Sequence, residues 1–167
     1  YNFIKDLRSF LKDLMILIPI LSLVYLLKNY INFKQGKSSK INFRIKYFCI
    51  GLIIGPIIGS GLIANLYFKE NWGRARPVQI SEFGGVKNFT PPFVKTNQCE
   101  KNCSWISGEG SAAFSFIVGT LILKNPLYFL LNLFFGIVVS FCRISMGGHF
   151  LSDNLFALFF MVYLAVI

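Results

Sequence analysis

The stretch Arg143-Ile-Ser-Met-Gly-Gly-His149-Phe-Leu-Ser-Asp153 sets a guanidinium, an imidazole and a carboxylate together at the mouth of an apolar segment. His149 is the only histidine in the chain. With Asp153 at i+4, a helical segment would stack the carboxylate one turn along the same face, where it holds one ring nitrogen while the other faces outward. An imidazole held in this way is prepared for nucleophilic attack. The plainer reading is a His–Asp pair that satisfies two polar groups at a membrane interface.

Two further clusters have the makings of an anion site. Lys69-Glu-Asn-Trp-Gly-Arg74-Ala-Arg76-Pro77 carries three cations, and an arginine fork can grip a phosphoryl group through two parallel hydrogen bonds. Such a patch could equally well greet lipid phosphates without any chemistry. In Ser104-Trp-Ile-Ser107-Gly108-Glu109-Gly110-Ser111, small residues lead into an apolar run. Backbone N–H groups left open there, with the helix dipole behind them, favour an anion; on its own the run is an ordinary helix cap.

The elements that must position these clusters are greasy. Apolar residues make up 54% of the 167 and aromatics 17%, and the mean hydropathy is +0.59, which excludes a soluble domain of this size. Uncharged apolar runs cover 14–27, 47–68, 111–123, 126–141 and 154–167. Only the second reaches the ~20 residues of a perpendicular span, and the others need snorkelling flanks or polar ends buried in a bundle. The expectation is an all-α, polytopic transmembrane helix bundle of five spans, a single domain over 1–167. Lys28, Lys34, Lys37, Lys40, Arg44 and Lys46, with no acidic residue among them, make 28–46 a cytoplasmic loop. Alternation then puts the loop 69–107 and the Arg143–Asp153 motif together on the external face.

This topology also accounts for the net charge of +10, so the basic residues imply a membrane and an anionic lipid rather than nucleic acid. Residues 1–13 either lie along the interface or extend the first helix, and no cleavable signal peptide is recognisable. Gly51, Gly55 and Gly59 give one smooth face for close helix packing, and Pro56 is expected to bend that helix. Cys49 and Cys142 read as packing residues. Cys99 and Cys103 in the external loop read as a disulfide in an oxidising compartment, with a two-cysteine metal site as the weaker alternative.

Taken in order, Lys69-x6-Arg76-Pro77, Ser107-Gly108 and Arg143-x5-His149-x3-Asp153 resemble the tripartite signature of the type 2 phosphatidic acid phosphatase (PAP2) superfamily. That resemblance implies a six-helix bundle, so that one further span is expected upstream of Tyr1. It also implies that His149 attacks phosphorus to give a phosphohistidine, with Asp153 orienting the ring. Lys69, Arg76, Arg143, Ser107 and the Gly108 amide would hold the phosphoryl oxygens, and no metal or cofactor is needed.

The chain departs from the pattern at two places. The family's second motif reads Pro-Ser-Gly-His, and here Ile106 replaces the proline and Glu109 the histidine that protonates the leaving oxygen. Three readings of Glu109 stand: an alternative acid and base, a salt-bridge partner for Arg74, or a mark of lost activity. Cys142 stands where the family has serine before the arginine, a change conservative in size.

Trp72-Gly-Arg-Ala-Arg-Pro, Phe83-Gly-Gly and the cysteine-bearing loop resemble, as a whole, bacterial lipid A phosphatases, particularly those acting at the 4′ position. The implied protein is a multi-pass phosphatase of the bacterial inner membrane with its site facing the periplasm and lipid A or another anionic phospholipid as substrate. Arg74 is a further candidate for substrate contact. Alternatives are an undecaprenyl pyrophosphate or phosphatidylglycerophosphate phosphatase, or a phosphate-lipid-binding membrane protein without turnover.

Overall fold

The computed structural model is all-α and describes residues 1–37 and 42–167, so that Lys40 of the basic loop lies outside the described residues. Five helical rods form among the described residues: α1 Asn2–Lys34, α2 Phe43–Asn71, α3 Gly108–Leu123, α4 Pro126–Ser145 and α5 Leu151–Val166. Helices α1, α2 and α4 are each long and apolar enough to cross a membrane; α3 and α5 are shorter apolar helices packed among them. The chain is a multi-pass membrane protein.

Helix α1 settles the reading of residues 1–13. Its 33 residues are continuous, about 50 Å at ~1.5 Å per residue, so the N-terminal segment extends the first helix. Leu11 and Met15 are buried with Leu52, Ala113, Phe116, Val139 and Cys142, whereas Ile16, Leu17, Ile20 and Leu21 face outward as a surface for lipid.

The glycine face of α2 is used as its spacing predicts. A Cβ on Gly51 would lie 2.6 Å from the Gly119 Cα, and one on Gly55 would lie 2.3 Å from the Ser115 carbonyl oxygen. Backbone meets backbone there, and no side chain can intervene. Pro56 lacks the N–H that continues the α ladder, and from Ile57 to Phe68 the helix is wound as a π-helix before returning to α at Lys69. Bonding from i to i+5 brings Asn65 over Ser60, and Asn65 Nδ2 donates to Ser60 Oγ at 3.4 Å. Ser60 Oγ in turn donates to the Gly108 carbonyl at 3.0 Å, so this irregular stretch seats the first residue of α3.

The connections are short where the bundle reverses. Lys124 takes a left-handed conformation after α3, and Asn125 caps α4 by accepting from the Leu127 amide at 3.0 Å. At the other end Gly147 has φ 61°, and any Cβ there would strike Val78 Cγ1 at 2.3 Å. The long loop folds over this end of the bundle: Val78 N donates to the Gly147 carbonyl at 3.2 Å. Trp105, fully buried, packs edge-on against Phe68 and Phe93 and tilted against Phe156, pinning the loop to α2 and α5.

Gly55→Val is therefore expected to force α2 away from α3, at a cost of about 1–3 kcal/mol as for other overpacked contacts. Gly61→Ala, whose nearest neighbour is 3.8 Å away, is expected to be neutral or slightly stabilising. Melting temperatures of the two variants in detergent check the contrast.

Candidate active site

The cations, the α3 N-terminus and the histidine motif come together at one end of the bundle. Ser107 caps α3 by accepting from the Gly110 amide at 3.1 Å, and its own N–H donates to the Asp153 carbonyl at 3.2 Å. Gly108 lies under the lysine: an added Cβ would sit 2.8 Å from Lys69 Nζ and 2.5 Å from Asn65 Oδ1. Lys69 Nζ donates to Asn102 Oδ1 at 3.1 Å, and Arg76 donates to the Asn102 carbonyl through Nε at 3.1 Å and Nη2 at 2.7 Å. Arg143, at the end of α4, is buried with its guanidinium against Gly148, where a Cβ would come within 2.5 Å of Nη2. The glycines of this end are thus the space in which the cations sit.

Asp153 is the most heavily bonded carboxylate of the site. Its Oδ1 accepts from Arg74 Nη1 at 2.5 Å; its Oδ2 accepts from Ser104 Oγ at 2.5 Å and from the Phe150 amide at 2.8 Å. Arg74 is itself buried, reaches Ser152 Oγ at 3.1 Å, and lies 4.3 Å from the centre of the Phe150 ring. A desolvated charge of this kind persists only when paired, and each partner supplies what the other needs.

The grip on His149 differs from the sequence expectation. The nearest partner of Nδ1 is the Ser104 carbonyl at 2.8 Å, with Asp153 Oδ2 behind it at 3.5 Å. Asp153 is already occupied by three shorter bonds, so the backbone carbonyl does the orienting. A carbonyl only accepts, so Nδ1 must carry the proton and the lone pair of the neutral ring is left on Nε2. That atom makes no hydrogen bond among the described residues.

Glu109 also finds a different partner from the one considered. It accepts from Arg8 of α1 in a two-pronged pair, with Nε to Oε2 at 2.9 Å and Nη2 on Oε1, and lies 3.8 Å from Arg143 Nε. Arg74 is committed to Asp153 instead. Arg8 escaped the motif reading although it carries a signal: it shares a helix face with Leu11 and Met15, at i+3 and i+7, and a cation on a core-facing stripe needs an anion. Ser104 and Asn102 escaped it as well, because both act partly through backbone carbonyls. Cys99 and Cys103 are joined in a disulfide with their Cα atoms 5.6 Å apart, and Cys49 and Cys142 are buried free thiols. No cluster of three metal-ligating side chains occurs among the described residues.

The chain belongs to the PAP2 superfamily, whose family model matches residues 44–167. Among curated relatives, a lipid A 4′-phosphatase of Francisella tularensis subsp. novicida (strain U112) is 40% identical over 121 residues, 70% of this chain and 54% of that protein. Lipid A 4′-phosphatases of Rhizobium etli (strain ATCC 51251 / DSM 11541 / JCM 21823 / NBRC 15573 / CFN 42) and Rhizobium leguminosarum are 38% and 36% identical over 105 residues. Those matches cover 61% of this chain, and 39% and 43% of the two relatives. The chain thus spans about half the length, or less, of the relatives it matches. No solved structure matches it significantly.

Burial is the dominant influence on the imidazole. It outweighs the charge of Asp153, is joined by repulsion from Arg143 and Lys69, and pushes the His149 pKa below its ordinary 6.5. The neutral ring is therefore the favoured form at neutral pH, and it is lost as pH falls below 6.5. Because the chain has one histidine, NMR of tag-free, histidine-labelled protein reads this site alone. A titration midpoint below 6.5 is expected; a midpoint above it would mean that Asp153 outweighs burial.

Proposed function

We propose that this protein is a membrane lipid phosphatase that removes a phosphate monoester from a lipid headgroup through a phosphohistidine, with the 4′-phosphate of lipid A as substrate. The observation that carries the reading is the free Nε2 of His149, whose ring is fixed through Nδ1 beside Lys69, Arg143 and the α3 N-terminus. The names of the relatives support the choice of lipid. The site then faces the periplasm from the inner membrane, a reading supported by Lys28, Lys34, Arg44 and Lys46 near the opposite ends of α1 and α2.

The chemistry follows from these groups. Nε2 attacks phosphorus and the bond to the sugar oxygen breaks, the departing alkoxide taking its proton from solvent water, while Lys69, Arg76, Arg143 and the Ser107–Gly108 turn hold the three equatorial oxygens. Asp153 stabilises the ring as it gains positive charge, and Arg74 keeps that carboxylate in place. Water then cleaves the phosphohistidine. Glu109 pairs as a carboxylate with Arg8, which suits it to take the proton of that water rather than to protonate the leaving oxygen. The same pairing argues against a dead site, because the substitution for the family histidine comes with a matched cation.

His149→Ala is expected to lower turnover by about 10⁴-fold or more and to yield no phosphoenzyme. Glu109→Gln is expected to slow turnover while phosphoenzyme accumulates, since its second step is the impaired one. Mass spectrometry of lipid A bisphosphate, undecaprenyl pyrophosphate and phosphatidylglycerophosphate after incubation checks the substrate. Loss of the lipid A 4′-phosphate is the expected product, and normal hydrolysis by His149→Ala would refute the assignment of the nucleophile.

A further inference from the structure

Three consecutive residues of the external loop hold most of the charged site. Asn102 has φ 51°, a left-handed conformation that asparagine tolerates. In that turn its carbonyl accepts both donors of Arg76, and its side-chain oxygen accepts from Lys69. Cys103 is fully buried, and Ser104 follows with its carbonyl on His149 and its hydroxyl on Asp153. Up to Gln98 the loop is held by its own bonds: the Asn88 amide donates to Gln98 Oε1 at 2.6 Å, Gln98 Nε2 to Thr90 Oγ1 at 2.8 Å, and the Thr96 amide to the Trp72 carbonyl at 3.0 Å. From Glu100 to Asn102 the residues are exposed, and the covalent closure at Cys99–Cys103 ties this turn to the buried Cys103.

We propose that Asn102 is a positioning residue that aims Lys69 and Arg76 at the substrate phosphate, and that the Cys99–Cys103 disulfide makes this aim conditional on an oxidised loop. The proposal rests on the phosphatase reading of the same site for its substrate, but not for its anion. Lysine is a point charge on a flexible four-carbon stem, so an acceptor at 3.1 Å confines an ammonium that would otherwise sample many positions. Arginine is held by its planar fork. A dithiol reductant would pass two electrons and two protons to the Cys99–Cys103 bond, leaving two thiols here and a disulfide in the reductant. The turn around Asn102 would then be free to open, and both cations would lose a common anchor.

The test compares purified wild type, Asn102→Gly, and the double variant Cys99→Ser/Cys103→Ser, with inorganic phosphate as probe. Glycine keeps the left-handed turn and the carbonyl for Arg76 while removing the acceptor for Lys69. Calorimetry is expected to show phosphate binding weakened about tenfold in both variants, as for loss of a hydrogen bond to a charged group. KM for the lipid should rise and kcat fall, since both cations hold the transferring phosphoryl group, while the melting temperature of Asn102→Gly is little changed. A dithiol should reproduce the double variant's loss in wild type and add nothing to the double variant. In a Lys69→Met background, Asn102→Gly should have no further effect on phosphate binding.

Unchanged phosphate affinity in both variants would overturn the proposal, as would wild-type protein that binds no phosphate. A loss shared by melting temperature and kcat, with phosphate affinity and KM intact, would overturn it too, because it marks a merely structural turn. If wild type hydrolyses no lipid phosphate, the phosphatase reading fails. The calorimetric comparison still decides whether Asn102 and the disulfide shape the anion site.

Discussion

The arrangement of the site depends on one buried ion pair, Arg74 with Asp153. Neither group has enough contact with water to be solvated by it, and both are held in a shell of aromatic rings and hydroxyls. Breaking a pair of this kind leaves an uncompensated charge, typically at a cost of about 3–5 kcal/mol. The pair therefore fixes the loop that carries Arg74 against the helix that starts at Leu151. That docking brings Ser104 to Asp153 and hence its carbonyl to His149. The imidazole is oriented as a consequence of how the carboxylate is neutralised, rather than by the carboxylate directly.

The bundle supplies the second constraint, which is proximity. Helices α2 and α3 meet through glycines, and Ser60 and Gly108 touch at the point where α2 is π-helical. Lys69 lies at the end of that irregular stretch, so its Nζ sits over Gly108 at the start of α3. Positive charge is then concentrated by Lys69, Arg76 and Arg143, each held by an acceptor or a glycine-lined space. Glu109 and Arg8 add a neutral pair beside them without reducing the number of cations in the motif. A phosphoryl group entering such a site meets donors already in place, which is the main demand of its transfer.

Much of this could be read from residue types and spacing. The Lys69, Arg76, Ser107, Arg143, His149 and Asp153 pattern is chemically specific, and the glycine repeat at 51, 55 and 59 meets the contacts that its period implies. Five helices follow from the apolar runs, with α3 and α5 shorter than the other three. What stayed hidden has a physical reason in each case. The Ser104 and Asn102 carbonyls are backbone groups that every residue type carries, so no composition marks them. The Arg8–Glu109 pair joins residues 101 apart, and only the packing of α1 against α3 and α4 reveals it. The π-helical winding after Pro56 changes which side chains share a face, which a period of 3.6 does not anticipate.

The central claim is that the Ser104 carbonyl holds the Nδ1 proton and leaves Nε2 as the nucleophile. The most direct measurement is the site of the covalent phosphate on the His149 ring, read by phosphorus–nitrogen NMR of the denaturant-quenched, histidine-labelled protein kept at alkaline pH. The account predicts phosphate on Nε2 alone. Phosphate on Nδ1 would contradict it, because that nitrogen could attack only after giving up the hydrogen bond on which the whole orientation rests.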